Sequence, residues 1–422
     1  MKLAIISHTE HYRMPDGKIA GWGPTITEIN HLAREFEEIY HLAFLYDGAP
    51  PESALPYLHS NIHFIPLKPM GGPKISDKAA MLFRIPEVIT NVRKVLKKAD
   101  VFQFRTPTGM GVFLIPYLTL TKKKGWYKYA GNWVQEQPPL GYRFQRRMLK
   151  NQRRPVTING SWPDQPKHCL SFENPCLTEE ERMEGKLIVS EKTYRLPFTL
   201  CFAGRLEDAK GVQRILDAFA RVENKTWIKA VHFAGDGEKL NAYRAQAEEM
   251  GLPAVFHGFM SREKLFDLYK ASDFLLLPSD SEGFPKVIAE AMNFGCIPVV
   301  SAVSSIGQYV DKSNGFLIEP CTAEKLKYIL KEISKAEEKE LKKKALAAHE
   351  RVADFTLANK EVEKLVAMPD SGNCRRSLST SNIAAASLPA LMPPMISPTE
   401  AMVINRPQKV PSKPRKISRP TR

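Results

Sequence analysis

The sequence predicts an α/β protein of two doubly wound halves, each a parallel sheet with helices on both faces, followed by a low-complexity tail. Short apolar runs alternate with helix-like stretches over residues 1–180. A cleaner series of the same kind starts at Thr199, after a polar segment around 177–197. From Pro369 onward Ser, Pro and Ala dominate. Such alternation argues for parallel sheets covered by helices, and 422 residues exceed what one core usually supports.

In the first half, Leu3–Ile6 reads as a strand and Ile26–Phe36 as an amphipathic helix. Further strands are expected at Ile39–Tyr46, Val101–Phe104, Trp126–Ala130 and Val156–Ile158. In the second, strands at Thr199–Ala203, Ile228–Phe233, Val255–Phe256, Phe274–Leu277 and Ile297–Val300 alternate with helices starting near Gly211, Glu238, Ser261 and Pro285. The expected domains are 1–180 and 181–345, with a terminal helix over 346–366 and a basic tail over 367–422. That tail cannot bury enough apolar surface to offset chain entropy and is expected to be disordered. Ligands of such sheets bind at the carboxyl ends of the strands. The loops carrying Arg205, Asp236, Gly258 and Glu282 all follow strands.

The composition, 43% hydrophobic and 25% charged, is that of a soluble globular protein. No apolar run reaches the ~20 residues of a membrane span, and Met1–Ser7 reads as a first strand rather than a signal peptide. The six cysteines lack paired spacing, which argues against a disulfide framework or a zinc site and for a reducing cytosol. The net charge of +15 is local. Lys122–Arg154 holds ten basic residues against Glu136, and from Ala367 nine face Asp370 and Glu400. Pro139–Arg154 interleaves this charge with apolar residues, which suits an interfacial helix on anionic lipid or a solvated helix with an apolar underside. Nucleic acid is a poorer fit, because no recognition motif accompanies the charge.

Ser279–Ser301 is the most informative stretch. An acidic loop with Glu282 leads through Gly283, Phe284 and Pro285 into a helix pattern carrying Lys286 and Glu290, closed by Gly295. The helix start offers free N–H groups to an anion, and the carboxylates suit hydroxyls, a combination matched to a sugar phosphate. Glu282 and Glu290 resemble the paired-glutamate signature of retaining glycosyltransferases, and the flanking residues resemble family 4. Phe202–Gly211 resembles that family's phosphate-binding segment. Val231–Gly237, His257-Gly258 and Asn314-Gly315 fall where the family carries such residues. The match is strong over about 198–320, loose before and absent in the tail.

The resemblance implies the GT-B architecture of two Rossmann-like domains facing a cleft, with the acceptor on the first and a nucleotide sugar on the second. It implies that Arg205 and Lys210 clamp the diphosphate and that Glu282 holds sugar hydroxyls and supports positive charge at the anomeric carbon. Glu290 accepts from the ribose hydroxyls. Gly283, Phe284 and Lys286 approach the donor through the backbone, Pro285 having no N–H to give. Gly258 belongs to the same site. Gly23, in Gly21–Pro24, is either a donor or acceptor contact or part of a plain strand-to-helix turn.

Relatives carry a histidine near the donor sugar. Gln103–Pro107 and Tyr129–Trp133 have none, so Arg105 or Asn132 is a substitute, and His8 is either a polar contact or structural. The expected activity is retaining hexosyl transfer to a hydroxyl acceptor in cell-surface glycan or glycolipid assembly. It would need no metal or cofactor, and would run in the cytoplasm or at the inner face of the membrane. The other readings are a nucleotide-sugar epimerase of similar fold and a non-catalytic membrane- or nucleic-acid-binding protein.

Overall fold

A computed structural model of the chain describes residues 1–70 and 75–357. The tail and the end of the expected terminal helix lie outside the described residues. Two parallel sheets, each with its own core, organise the rest.

The first sheet contains β1 (Lys2–Arg13), β2 (Ile19–Trp22), β3 (Glu38–Tyr46), β4 (Ala54–Pro56), β5 (Ile62–Leu67), β6 (Val101–Thr106), β7 (Lys124–Tyr129), β8 (Val156–Ile158) and β9 (Cys169–Ser171). Its parallel body runs β5-β3-β1-β6-β7-β8-β9. The order reverses at β1, with β3 on one side and β6 on the other. Around it lie α1 (Gly23–Leu32), α2 (Ile75–Lys98), α3 (Gly111–Leu120) and α4 (Leu140–Lys150).

β1 is longer than its apolar run Leu3–Ile6. It continues past a register shift between Ile6 and Glu10, and His11–Arg13 pairs antiparallel with β2, which in turn pairs with β4. The extension is held by strand pairing and by ring contacts, His11 on Phe64 and Tyr12 on Tyr46, with centroids 4.6 and 6.0 Å apart. The expected loop Gly21–Pro24 is therefore the end of β2 and the start of α1. A Cβ on Gly21 would lie 2.5 Å from the His11 ring, so only glycine fits beneath it.

The second half begins with α5 (Glu179–Glu191), whose start is fixed by a reciprocal capping box between Thr178 and Glu181. There follow β10 (Phe198–Ala203), α6 (Val212–Ala220), β11 (Ile228–Ala234), α7 (Leu240–Glu249), β12 (Ala254–Gly258), α8 (Arg262–Ala271), β13 (Phe274–Leu277), α9 (Lys286–Asn293), β14 (Ile297–Ser301), α10 (Ile306–Tyr309) and β15 (Phe316–Ile318). The sheet order is β12-β11-β10-β13-β14-β15, parallel throughout. α11 (Ala323–Ile333) and α12 (Glu338–Arg351) complete this half. Leu341, Ala345 and Ala348 of α12 are buried in its core. The chain enters and leaves the second half side by side: Cys176 N–H donates to Phe355 O at 2.9 Å, and Leu357 N–H to Leu177 O at 2.7 Å.

The basic run Lys122–Arg154 is not one surface. Lys128 is buried, and Arg154 donates to the carbonyls of Lys123 and Thr121. Arg146 donates to Trp133 O at 2.6 Å and Gln135 O at 2.8 Å. Arg143 and Arg147 of α4 are exposed, as is Lys150, whose ammonium lies 5.6 Å from the centroid of the Trp133 ring. No described helix is long and apolar enough to cross a membrane.

Candidate functional site

In the second sheet the order reverses between β10 and β13, and the loops after these strands face each other there. Such a switch point is where open α/β sheets bind ligands. β10 ends at Ala203, and the chain passes Gly204 to Arg205, which is exposed and whose guanidinium makes no hydrogen bond or ion pair among the described residues. A short turn, Asp208–Lys210, then leads to Gly211 at φ +88. A Cβ at Gly211 would stand 2.2 Å from Pro278 O, so both the left-handed backbone and the close approach require glycine. That approach brings Lys210 against the loop after β13, which is itself tied down by Asp280 N–H donating to Ala209 O at 2.9 Å.

The result is a contact between two expected site residues. Lys210 Nζ lies 2.6 Å from Glu282 Oε1, with Glu282 largely enclosed and Lys210 partly open. Glu290, two turns further on, is 7% exposed. No hydrogen bond reaches its carboxylate among the described residues. Burial raises its pKa, with Arg262 and Lys286 pulling the other way. Arg262 is held behind it by a two-pronged contact with Glu181 and by Cys176 O. A largely buried, ionisable group with no hydrogen-bond partner among the described residues, beside a strand-end loop, is a ligand-binding candidate with a physical reason.

The other expected residues are placed as follows. Gly258 ends β12 at φ +70, with open space where a Cβ would be, and hands the chain to half-exposed Phe259. Phe284 is 3% exposed and packs between Tyr309 and Phe355, ring centroids 4.7 and 4.9 Å away, so its side chain anchors the loop. At Gly283 a Cβ would stand 2.5 Å from Ala130 O and 2.6 Å from Asn159 Nδ2. The glycine therefore allows the loop to press on the ends of β7 and β8. Lys286 sends its ammonium into the first half, 3.3 Å from Pro24 O. Gly23 is buried under Ser53, whose carbonyl accepts from its N–H at 3.1 Å. Its tight packing is against that neighbour.

Of the proposed substitutes for a first-half histidine, Arg105 is committed to Glu28 and Gln103, at 2.8 Å each. Asn132 accepts from Val134 N–H at 3.1 Å. His8, expected after the first strand, lies inside β1 at the register shift between Ile6 and Glu10; desolvation and then Arg105 lower its pKa, with Glu10 opposing.

The sequence reading missed Glu28, Arg262 and the reach of Lys286. Glu28 left a signal: a carboxylate between Ile26 and Ile29 on the buried face of α1 demands cations from the neighbouring strands. Among the described residues no group of three or more His, Cys, Asp or Glu could hold a metal ion.

Residues 187–349 match the family model of glycosyl transferases group 1. The chain is 32% identical over 117 residues to the sulfoquinovosyl transferase SQD2 of Arabidopsis thaliana, covering 26% of this chain and 22% of that protein. It is 30% identical over 124 residues to the lipopolysaccharide glucosyltransferase WaaG of Escherichia coli, covering 29% and 33%. These matches span about a fifth to a third of the relatives' length. Among solved structures, sucrose-phosphate synthase from Thermosynechococcus elongatus superposes with TM-score 0.66 at 16% identity, over 90% of this chain and 99% of that one. Anabaena HepE in complex with UDP-glucose gives 0.64 at 16% identity, over 87% and 100%. At this identity the likeness concerns the fold, and the fold is GT-B.

Proposed function

From a chain whose residues 187–349 are a glycosyltransferase group 1 domain in a GT-B fold, we propose a retaining hexosyltransferase that takes its sugar from a nucleotide diphosphate donor. The observation that carries the reading is Glu290, a buried carboxylate without a hydrogen bond among the described residues, on the helix that follows the loop of the Lys210–Glu282 pair. HepE, solved with UDP-glucose, shares the fold and supports a donor of that class.

In this reading Glu290 accepts from the ribose hydroxyls, which pair with its ionised form. Arg205 and Lys210 face the diphosphate as a planar fork and a point charge. As the anomeric C–O bond breaks, its electron pair leaves with the diphosphate, and these two cations meet the growing charge. Glu282, released from Lys210, holds sugar hydroxyls and stabilises the cationic anomeric carbon. The acceptor oxygen bonds to the same face of that carbon, and its proton passes to the departing phosphate oxygen.

The acceptor lies toward the first half, and closure of the two halves excludes water. Assembly of a cell-surface glycan or glycolipid, at the cytoplasmic face of a membrane, is the biological setting we propose. The test is thermal unfolding of the full chain with UDP, GDP and ADP, because a ligand of the folded state raises the melting temperature. One nucleotide is expected to stabilise the wild type and to stabilise Glu290→Gln less. Equal melting temperatures with all three and with none would overturn the donor assignment.

A further inference from the structure

Glu28 lies on the buried face of α1, 2% exposed, and three cations converge on it. Arg105 Nη2 and Lys128 Nζ stand 2.8 and 2.6 Å from its Oε1. Both belong to the same half, on β6 and β7. The third cation comes from the other half: Lys286 Nζ is 3.8 Å from Glu28 Oε2 and donates to Pro24 O at 3.3 Å. Burial lowers the Lys286 pKa, and Glu28 is the strongest influence against that lowering. An ammonium so enclosed depends on its carboxylate, since without it the desolvation cost stands uncompensated.

Lys286 is the first residue of α9, midway in sequence between Glu282 and Glu290. Fixing its ammonium on α1 therefore fixes the start of the segment that presents both carboxylates. The neighbouring contacts share this orientation. Gln308 exchanges two hydrogen bonds with the Ser161 backbone, at 2.8 and 3.0 Å. Gly283 fits against Ala130 and Asn159 with no room for a Cβ.

We infer that Lys286 and Glu28 form a positioning pair across the two halves, holding the loop of Glu282 and the helix of Glu290 in register with the first half. Lys286 then acts through these carboxylates rather than by touching the donor. The inference rests on the proposed transferase reading for its effect on turnover, but not for its effect on closure.

The test uses the full chain with Lys286→Met, which keeps length and apolar packing while removing the charge, and Lys286→Arg, which keeps the charge. Glu28 is unsuited, because its loss would strand Arg105 and Lys128 in the core and threaten folding. Three readouts are needed: calorimetric affinity for UDP, GDP and ADP, kcat with the matching nucleotide-glucose, and the radius of gyration by small-angle scattering. For Lys286→Met we expect nucleotide affinity within about twofold of wild type. We expect kcat down roughly 10–10²-fold, the scale of a misplaced reacting group, and a larger radius; Lys286→Arg recovers most of both.

Loss of affinity by the same factor as kcat would make Lys286 a donor ligand and overturn the pair. So would wild-type kcat and wild-type radius in Lys286→Met. If no nucleotide binds the wild type, the transferase reading fails, and the radius alone still decides the pair: an unchanged radius overturns it.

Discussion

Lys210 and Glu282 form an ion pair of 2.6 Å that bridges the loops after β10 and β13, the two strands flanking the switch point of the second sheet. Each neutralises the other, so neither is a lone charge. A donor that brings a diphosphate to Lys210 and hydroxyls to Glu282 replaces one contact by two.

Because the two residues act as a unit, their removals should not add. Lys210→Ala is expected to lower turnover by about 10²–10³, the usual loss for one electrostatic stabiliser of a leaving group. Glu282→Gln should depress turnover while leaving affinity for the bare nucleotide close to wild type. The double variant should lose little more than the worse single one. Steady-state kinetics of the four proteins check this, and strictly additive losses would mean that the pair is incidental.

Glu290 supplies a pH prediction. Burial raises its pKa, so protonation begins at a higher pH than for an ordinary carboxylate at about 4.3. Nucleotide binding that uses the ionised form should be complete near neutrality and weaken as pH falls. Glu290→Gln should bind about tenfold more weakly, the scale of a charge-assisted hydrogen bond, and should lose this pH dependence. Calorimetric titrations at pH 7.5 and 5.5 measure both effects. A wild-type affinity that is flat across that range, and equal to the variant's, would remove Glu290 from the nucleotide site.

The second half was legible because each βα step there carries its own punctuation. Gly211 and Gly295, both at positive φ, stand where the chain turns, and the apolar strands β10, β13 and β14 are short and fully buried. The first half hid β2, β4, β5, β9 and the far end of β1: β2, β4 and β9 are three or four residues long, too short to show a period, and the end of β1 is rich in polar residues. Arg205, Lys210, Glu282 and Glu290 could be placed in sequence because they follow strand ends or lie on the helix after one. Glu28 and Lys286 could not be paired, since their contact joins residues far apart in the chain, and no local pattern encodes which half a lysine will reach into.

A buried polar chain in the first half predicts how stability depends on pH. His11 Nε2 lies 2.9 Å from Tyr57 Oη, Tyr57 Oη lies 2.7 Å from His41 Nδ1, and His41 Nε2 lies 2.8 Å from Ser7 Oγ. Burial lowers both histidines, His11 to about 4. With the folded pKa below the unfolded value near 6.5, the unfolded chain binds more protons between them. The stability contribution is thus complete above about pH 6.5 and lost as pH falls toward 4. Urea unfolding at pH 7.5 and 5.0 should differ by on the order of 3 kcal/mol, with Tyr57→Phe weaker at both by about 1–3 kcal/mol. Equal stabilities at the two pH values would mean that these rings are solvated in the native protein.

The last prediction concerns the surface of α2, α3 and α4. Phe83 and Leu120 are each 86% exposed, Leu140 is 72% exposed, and Phe144 projects beside Arg143 and Arg147. The elements adjoin: Met81 Sδ lies 3.3 Å from where a Cβ on Gly109 would be, and Val112 packs toward Gly141. Apolar side chains among cations suit the headgroup layer of an anionic membrane, at about 1 kcal/mol per basic residue. Arg146 is excluded from the test because its guanidinium holds the carbonyls of Trp133 and Gln135. The variant is therefore Arg143, Arg147 and Lys150 changed together to Ser, made in a chain ended near Ala367 so that the basic tail contributes nothing. The parent is expected to bind vesicles of phosphatidylglycerol and phosphatidylcholine, more weakly as salt rises. The triple variant should lose about 3 kcal/mol of that binding, and Phe144→Ser should weaken it at every salt concentration. If the shortened parent ignores these vesicles at low salt, the face does not meet a membrane, and a soluble acceptor becomes the better expectation.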